Sequence, residues 1–221
     1  MKKFLIISLL LLVFAVSVYS QNGVIRDLSG DVTLKPAGSS DFTPAAVGDT
    51  VGKDTIVSTG FRSTTIIVVG NSLITVRPLT RLSLSEIQRT SGGENVSLSL
   101  QTGRIRVDVN PPAGAATTNF TVRSPSATAS VRGTSFEIDA HNLQVISGKV
   151  LYAGTNGFWT IVNAGNSSMI GANGNAWDPA ELLASLLFPP APVGANGSTQ
   201  TISPEFVDPN RGYLSIDVNW K

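Results

Sequence analysis

Period-two alternation limits this chain more than any other feature. "VSLSL" (96–100), "RIRVDV" (104–109) and "RLSLSEI" (81–87) place apolar residues at every second position. One face of each run can therefore be buried while the other is solvated. "TTIIVV" (64–69) is apolar on both faces and suits a central buried strand. Turn-forming clusters such as "GKDT", "SGGEN", "NPPAGAA" and "AGTNG" separate the runs, and long helical periodicity is missing until residue 178. The expected fold is all-β, an elongated β-roll or sandwich of short strands.

Residues 1–20 stand apart from that pattern. Lys2 and Lys3 precede the apolar run "FLIISLLLLVFAV", and Val18 and Ser20 occupy the small-residue positions before a cut. They read as a cleavable signal peptide, so the chain is expected to be periplasmic or secreted and not an integral membrane protein after cleavage. The rival reading is an uncleaved anchor, for which the run is short. An exported chain without cysteine has no disulfides and depends on a packed core. Without Lys2 and Lys3 the chain holds 14 basic and 15 acidic residues, which excludes a global attraction to nucleic acid.

The expected organisation is a β domain over 21–160 and a C-terminal extension over 161–221, packed on that domain. Within the extension, "DPAELLASLLF" (178–188) has Asp178 as N-cap, Pro179 at the first helical position and Glu181 two residues on. A short helix over about 179–188 follows, its stripe of Leu182, Leu183, Leu186 and Leu187 expected to seal the end of the β core. After a Pro/Gly/Ser-rich connector (189–204), "GYLSIDVNW" alternates as a terminal strand that could dock back or pair with another protein's edge.

Catalytic chemistry is poorly represented. The chain has one histidine, His141, and no cysteine, so serine or cysteine triads and the usual zinc sites lack members. It carries no Walker loop or dinucleotide fingerprint. Glu137 and Asp139 lie two residues apart on one strand, a pairing read as a solvated strand face. No enzyme activity, catalytic residue, metal or cofactor is expected.

Three segments begin alike: "GDVTL" (30–34), "GRIRV" (103–107) and "GKVLY" (148–152), each with a glycine suited to a turn that launches a strand. The stretch "SATASVRGTSFEID" (126–139) adds a parity change. Its apolar positions are odd before Arg132 (Ala127, Ala129, Val131) and even after Thr134 (Phe136, Ile138). A strand cannot do that without an extra residue or a bend. Gly133 is the expected seat of a bulged corner, Thr134 and Ser135 its hydrogen-bonding partners for freed amides, and Phe136 a core side chain. Arg132 is expected to bridge nearby carbonyls or a carboxylate, with presentation to an anionic partner as the alternative.

The longer stretch "SPSATASVRGTSFEID" resembles the signature of the FecR domain, with Val-Arg-Gly-Thr-x-Phe as its most specific part. "VGDTVGKDTIVSTGFRSTTIIVVGNSLITVRPLTRLSLSEI" is similar to the first half of that domain, and "SLQTGRIRVDV" and "VISGKVLYAG" to its later strands, so the resemblance covers about 24–154. It implies an all-β extracytoplasmic module. In the best-known members that module belongs to a transmembrane regulator relaying a signal from an outer-membrane receptor to a cytoplasmic sigma factor. Here the leader leaves no cytoplasmic arm, so the envelope location and the protein-binding habit are what carry over.

The expected function is that of an exported, non-enzymatic interaction or scaffolding protein of the bacterial envelope, with an envelope protein as partner. Arg104 and Arg106, side by side on the outer face of "GRIRVDV", and Arg132 are the candidate contacts. Internal pairing is the competing reading, because residues 62–132 carry +5 (eight Arg against three acids) and residues 133–221 carry −4 (three bases against seven acids). One alternative function is binding of cell-wall polysaccharide or peptidoglycan through Trp159, Trp177, Tyr152 and Tyr213. Another is a sensory partner of a separate membrane signalling regulator.

Overall fold

The computed structural model describes residues 22–90, 93–110 and 117–187. The leader and the terminal strand expected from the sequence lie outside them. Seventeen short strands and one helix follow in order. The strands are β1 (Gly23–Ser29), β2 (Val32–Lys35), β3 (Thr43–Pro44), β4 (Thr50–Val51), β5 (Ile56–Thr59) and β6 (Thr64–Val69). Next come β7 (Ser72–Val76), β8 (Arg81–Thr90), β9 (Gly93–Thr102), β10 (Ile105–Asp108), β11 (Thr117–Arg123) and β12 (Ala127–Val131). The last are β13 (Ser135–Ile138), β14 (Asn142–Ser147), β15 (Lys149–Gly154), β16 (Trp159–Asn163) and β17 (Ser167–Met169), then helix α1 (Pro179–Leu187).

Among the described residues these strands build two sheets. One has eight strands in the order β17-β14-β13-β10-β7-β6-β1-β4, the other nine in the order β16-β15-β12-β11-β9-β8-β5-β2-β3. Pairing is antiparallel except for β9 with β11, which run parallel. The alternation read from sequence orients the strands: Leu98 and Leu100 of β9 and Ile105 and Val107 of β10 all point into one shared core. The all-β expectation holds. β6 is interior as expected, although its outer Ile66 and Val68 are half-buried rather than covered. The sheets continue through β16 and β17, so the expected boundary at residue 160 falls inside a strand.

The parity change at Arg132–Thr134 is where the chain leaves one sheet for the other. β12 lies in the nine-stranded sheet and β13 in the eight-stranded sheet, so Val131 and Phe136 both face the core from opposite sides. Gly133 makes the turn with φ of 66°, in a region side-chain-bearing residues seldom adopt. The corner is therefore present, but the bulge expected there is one strand away. In the β13–β14 ladder, Ser135 pairs with Ser147 and Phe136 with Val145, leaving Ile146 as the extra residue. Thr134 also departs from expectation, since its hydroxyl donates to the Lys149 carbonyl (3.0 Å) instead of accepting from a freed amide.

This corner is one of three built alike. At each, a residue with positive φ precedes a buried hydroxyl: Arg62 before Ser63, Leu79 before Thr80, Gly133 before Thr134. Each hydroxyl packs on a neighbouring crossing, and those crossings are the three repeated glycine segments. Ser63 Oγ accepts from the Asp31 amide (2.8 Å) beside Gly30, and Thr80 Oγ1 accepts from the Arg104 amide (3.0 Å) beside Gly103. Thr134 closes on Gly148 and Lys149, where a Cβ on Gly148 would stand 2.8 Å from Thr134 Oγ1.

Helix α1 starts as its cap predicts, with the Ala180 amide donating to Asp178 Oδ1 (2.8 Å). It does not seal the core. None of its residues is buried, and Leu186 is 71% exposed. The strand ends there are already closed by buried Ile170 and by Ser168 Oγ donating to the Trp177 carbonyl (2.6 Å).

Candidate functional site

The outer face of the eight-stranded sheet collects most of the arginines picked from the sequence. Arg104 Nη2 donates to Asp139 Oδ2 (2.9 Å), Arg77 Nη2 to Glu137 Oε1 (2.6 Å), and Arg106 Nε to Asp108 Oδ2 (3.2 Å). The Asp108 hydrogen bond and charge raise the Arg106 pKa. Burial pushes Asp139 up, but the amides of His141 and Asn142 and the Arg104 guanidinium together hold it below the usual carboxylate range. Glu137 and Asp139 thus serve as arginine partners on a strand face. Two of these three pairs join the basic segment to the acidic one. The three cations and three carboxylates of this cluster cancel, so it offers a partner no net charge.

The outer face of the nine-stranded sheet is built differently. β15 and β16 pair so that Leu151 stands opposite Ile161 and Ala153 opposite Trp159. Leu151 is 43%, Ile161 50% and Trp159 63% exposed. Beside them lie Arg132, which follows the Val131–Val150 pair, and Lys149, which precedes it. The Arg132 Nε donates to the side-chain amide oxygen of Asn119 (2.8 Å), neither to a backbone carbonyl of the bent strand nor to a carboxylate, which corrects the expectation for that residue. Among the described residues no acid pairs with Arg132 or Lys149. Both line a groove of about 580 Å³ with Thr121, Ser130, Leu151 and Ile161.

Among the described residues β16 also ends its sheet. The Gly154 amide donates to the Phe158 carbonyl (2.9 Å) and the Ala164 amide to the Gly148 carbonyl (3.0 Å). Counting along the antiparallel ladder from these bonds, Thr160 and Val162 bond to β15, and the N–H and C=O of Trp159, Ile161 and Asn163 face outward. The other sheet edges are guarded. β3 and β4 have two residues each, with Pro44 in β3, and β17 has three. β16 has five residues, "WTIVN", with no charge and no proline.

Of the four rings proposed for stacking on sugars, Tyr152 is wholly buried, with its hydroxyl donating to the His141 carbonyl (2.8 Å). Burial and the nearby Asp139 charge raise its pKa. Trp177 is half-buried, Trp159 alone of the described three is exposed, and Tyr213 lies outside the described residues. Sequence reading missed Lys149, Leu151 and Ile161 as surface members. Their only signal was strand alternation, which does not say which sheet end stays uncovered.

Residues 54–151 match the family model described as FecR protein. Residues 54–151 form a FecR domain. The match begins later than the resemblance read from sequence, although β1 to β4 belong to the same two sheets as the domain. It spans all three hydroxyl corners and stops at Leu151, inside β15. Two crystal structures of a candidate anti-sigma factor from Parabacteroides distasonis ATCC 8503 are similar to this chain at 17% and 18% identity, with TM-scores of 0.46 and 0.45. Each similarity covers 59% of this chain, and 63% and 64% of the other chain, so under two thirds of each of those proteins is spanned. No curated protein matches the chain. Among the described residues, no helix is long and apolar enough to cross a membrane, and no three acidic or histidine side chains are grouped to hold a metal.

Proposed function

We propose that this is an exported, non-enzymatic interaction protein of the bacterial envelope, and that it holds a partner protein on the outer face of the nine-stranded sheet at β15 and β16. One observation carries the reading: among the described residues β16 combines an open, uncharged edge with exposed Trp159 and Ile161. Natural sheets blunt such edges unless something pairs with them. The leader-like residues 1–20 support export. The FecR domain supports a sensory role beside a membrane signalling regulator, because the best-known members of that family work in such a relay. The paired arginines of the other sheet argue for placing the contact here and not at Arg104 and Arg106.

The test is cross-linking capture from the native envelope with a tagged chain starting at Gln21. One defined protein should be recovered, and Trp159→Asp and Ile161→Asp should each lose it at an unchanged thermal midpoint. Undiminished recovery with both variants would overturn the assignment.

A further inference from the structure

The β16 surface carries information about what its partner segment looks like. Along the outer face of β16 the side chains run Trp159, Ile161, Asn163, and beside them on β15 run Ala153, Leu151, Lys149. The surface is thus apolar over two positions and basic at the third, where Arg132 stands on the far side of Lys149. Like charges gathered in one groove repel one another unless a carboxylate joins them. On the other sheet Arg77 and Arg104 meet carboxylates from the neighbouring strand and turn, Glu137 and Asp139. At Arg132 and Lys149 that complement is left for an incoming group.

Resting on the reading of β16 as the contact strand, we propose that its open edge receives an extended segment of a partner protein with an apolar-x-apolar-x-acidic pattern. The outward N–H and C=O of Trp159, Ile161 and Asn163 would bond the segment's backbone. Its two apolar side chains would lie against Trp159 and Ile161. Its carboxylate would reach over Asn163, the small polar end of β16, toward Lys149 and Arg132. Strand addition supplies affinity through the backbone, and the same-face side chains supply selectivity.

The test uses the isotope-labelled chain from Gln21 and two capped peptides. The first is Thr-Glu-Thr-Val-Thr-Val-Thr-Glu-Thr, which presents the pattern in either direction, and the second replaces both Glu by Lys. The acidic peptide should shift the amides of residues 130–132, 149–151 and 159–163 and slow hydrogen exchange at Trp159, Ile161 and Asn163. It should bind about tenfold more tightly than the basic one, a preference that shrinks in about 0.5 M salt. Lys149→Glu should reverse the preference while leaving the thermal midpoint unchanged or higher, which a merely structural lysine would not do. Ile161→Pro should abolish binding, with Ile161→Ala as the control for the side chain.

Equal affinity for the two peptides, or shifts confined to other strands, would overturn the proposal. Equal affinity with protected β16 amides would leave the contact strand standing and remove only the acidic preference. Binding of neither peptide, while envelope capture still depends on Ile161, would remove strand addition and keep the surface. Tighter binding of a uronic-acid oligosaccharide than of the acidic peptide would replace the protein partner by a polysaccharide.

Discussion

The two outer faces of this sandwich treat cations in opposite ways. On the eight-stranded sheet, Arg77, Arg104 and Arg106 each meet a carboxylate, two of them from the strand and turn at Glu137 and Asp139. On the nine-stranded sheet, Arg132 and Lys149 line one groove beside exposed leucine, isoleucine and tryptophan. Both faces cover the same core and both derive from alternating strands. What differs is whether long-range pairing happened to bring acids alongside the bases. The comparison teaches that a row of arginines in sequence is not by itself a binding surface, and that an unpaired cation beside open apolar area is a better guide.

Five substitutions sharpen that contrast, in order of expected effect. Phe136→Ala should cost about 3–5 kcal/mol in denaturant unfolding, because the ring is fully buried beneath both faces. A cost under about 1 kcal/mol would mean the faces do not share one core. Gly133→Val should cost about 1–3 kcal/mol through its positive φ, and it should also shift the Arg132 resonances, since this corner sets where Arg132 stands. An unchanged unfolding midpoint would sink the corner account.

On the paired face, Arg77→Ala should cost no more than about 1 kcal/mol, as the Arg77–Glu137 pair is partly exposed and screened. The pH dependence there has a definite sign. The folded-state pKa of Asp139 is lowered, so its contribution is present above the unfolded value near about 3.9 and is lost as pH falls through the folded value. Asp139→Asn should flatten that acid limb, and an unaltered limb would deny Asp139 its hydrogen bonds. On the unpaired face the sign reverses. Lys149→Glu sets a carboxylate in the groove that Arg132 also lines and should raise stability by about 0.2–1 kcal/mol. A loss of stability would show that Lys149 is already paired.

Much of the fold is legible in the residues themselves. Asp178 and Pro179 mark the helix start, and the changed parity around Gly133 marks a corner. The equivalent corners at Ser63 and Thr80 were hidden, because Arg62 and Leu79 adopt positive φ where no glycine advertises it. The leucine stripe of α1 was readable as amphipathic, but its failure to seal the core depends on Ile170 and Ser168 having closed the strand ends first. Among the site residues, Arg132 was visible as a surface candidate. Lys149, Leu151 and Ile161 were not, since each is an ordinary outward position on an ordinary strand.

The sequence by itself determined which side of each strand faces inward, where glycine turns the chain, and which glycines launch the three alike segments at 30–34, 103–107 and 148–152. Those are local properties, set by a side-chain period of two and by the φ angles that glycine permits. Only the tertiary structure decided which strands became neighbours. Arg104 found Asp139 35 residues away, while Arg132 and Lys149 came to line one groove and β16 stands, among the described residues, at the rim of its sheet. Partnership between distant residues depends on sheet order and register, which arise from packing two sheets on one core, and no window of alternating residues contains that information.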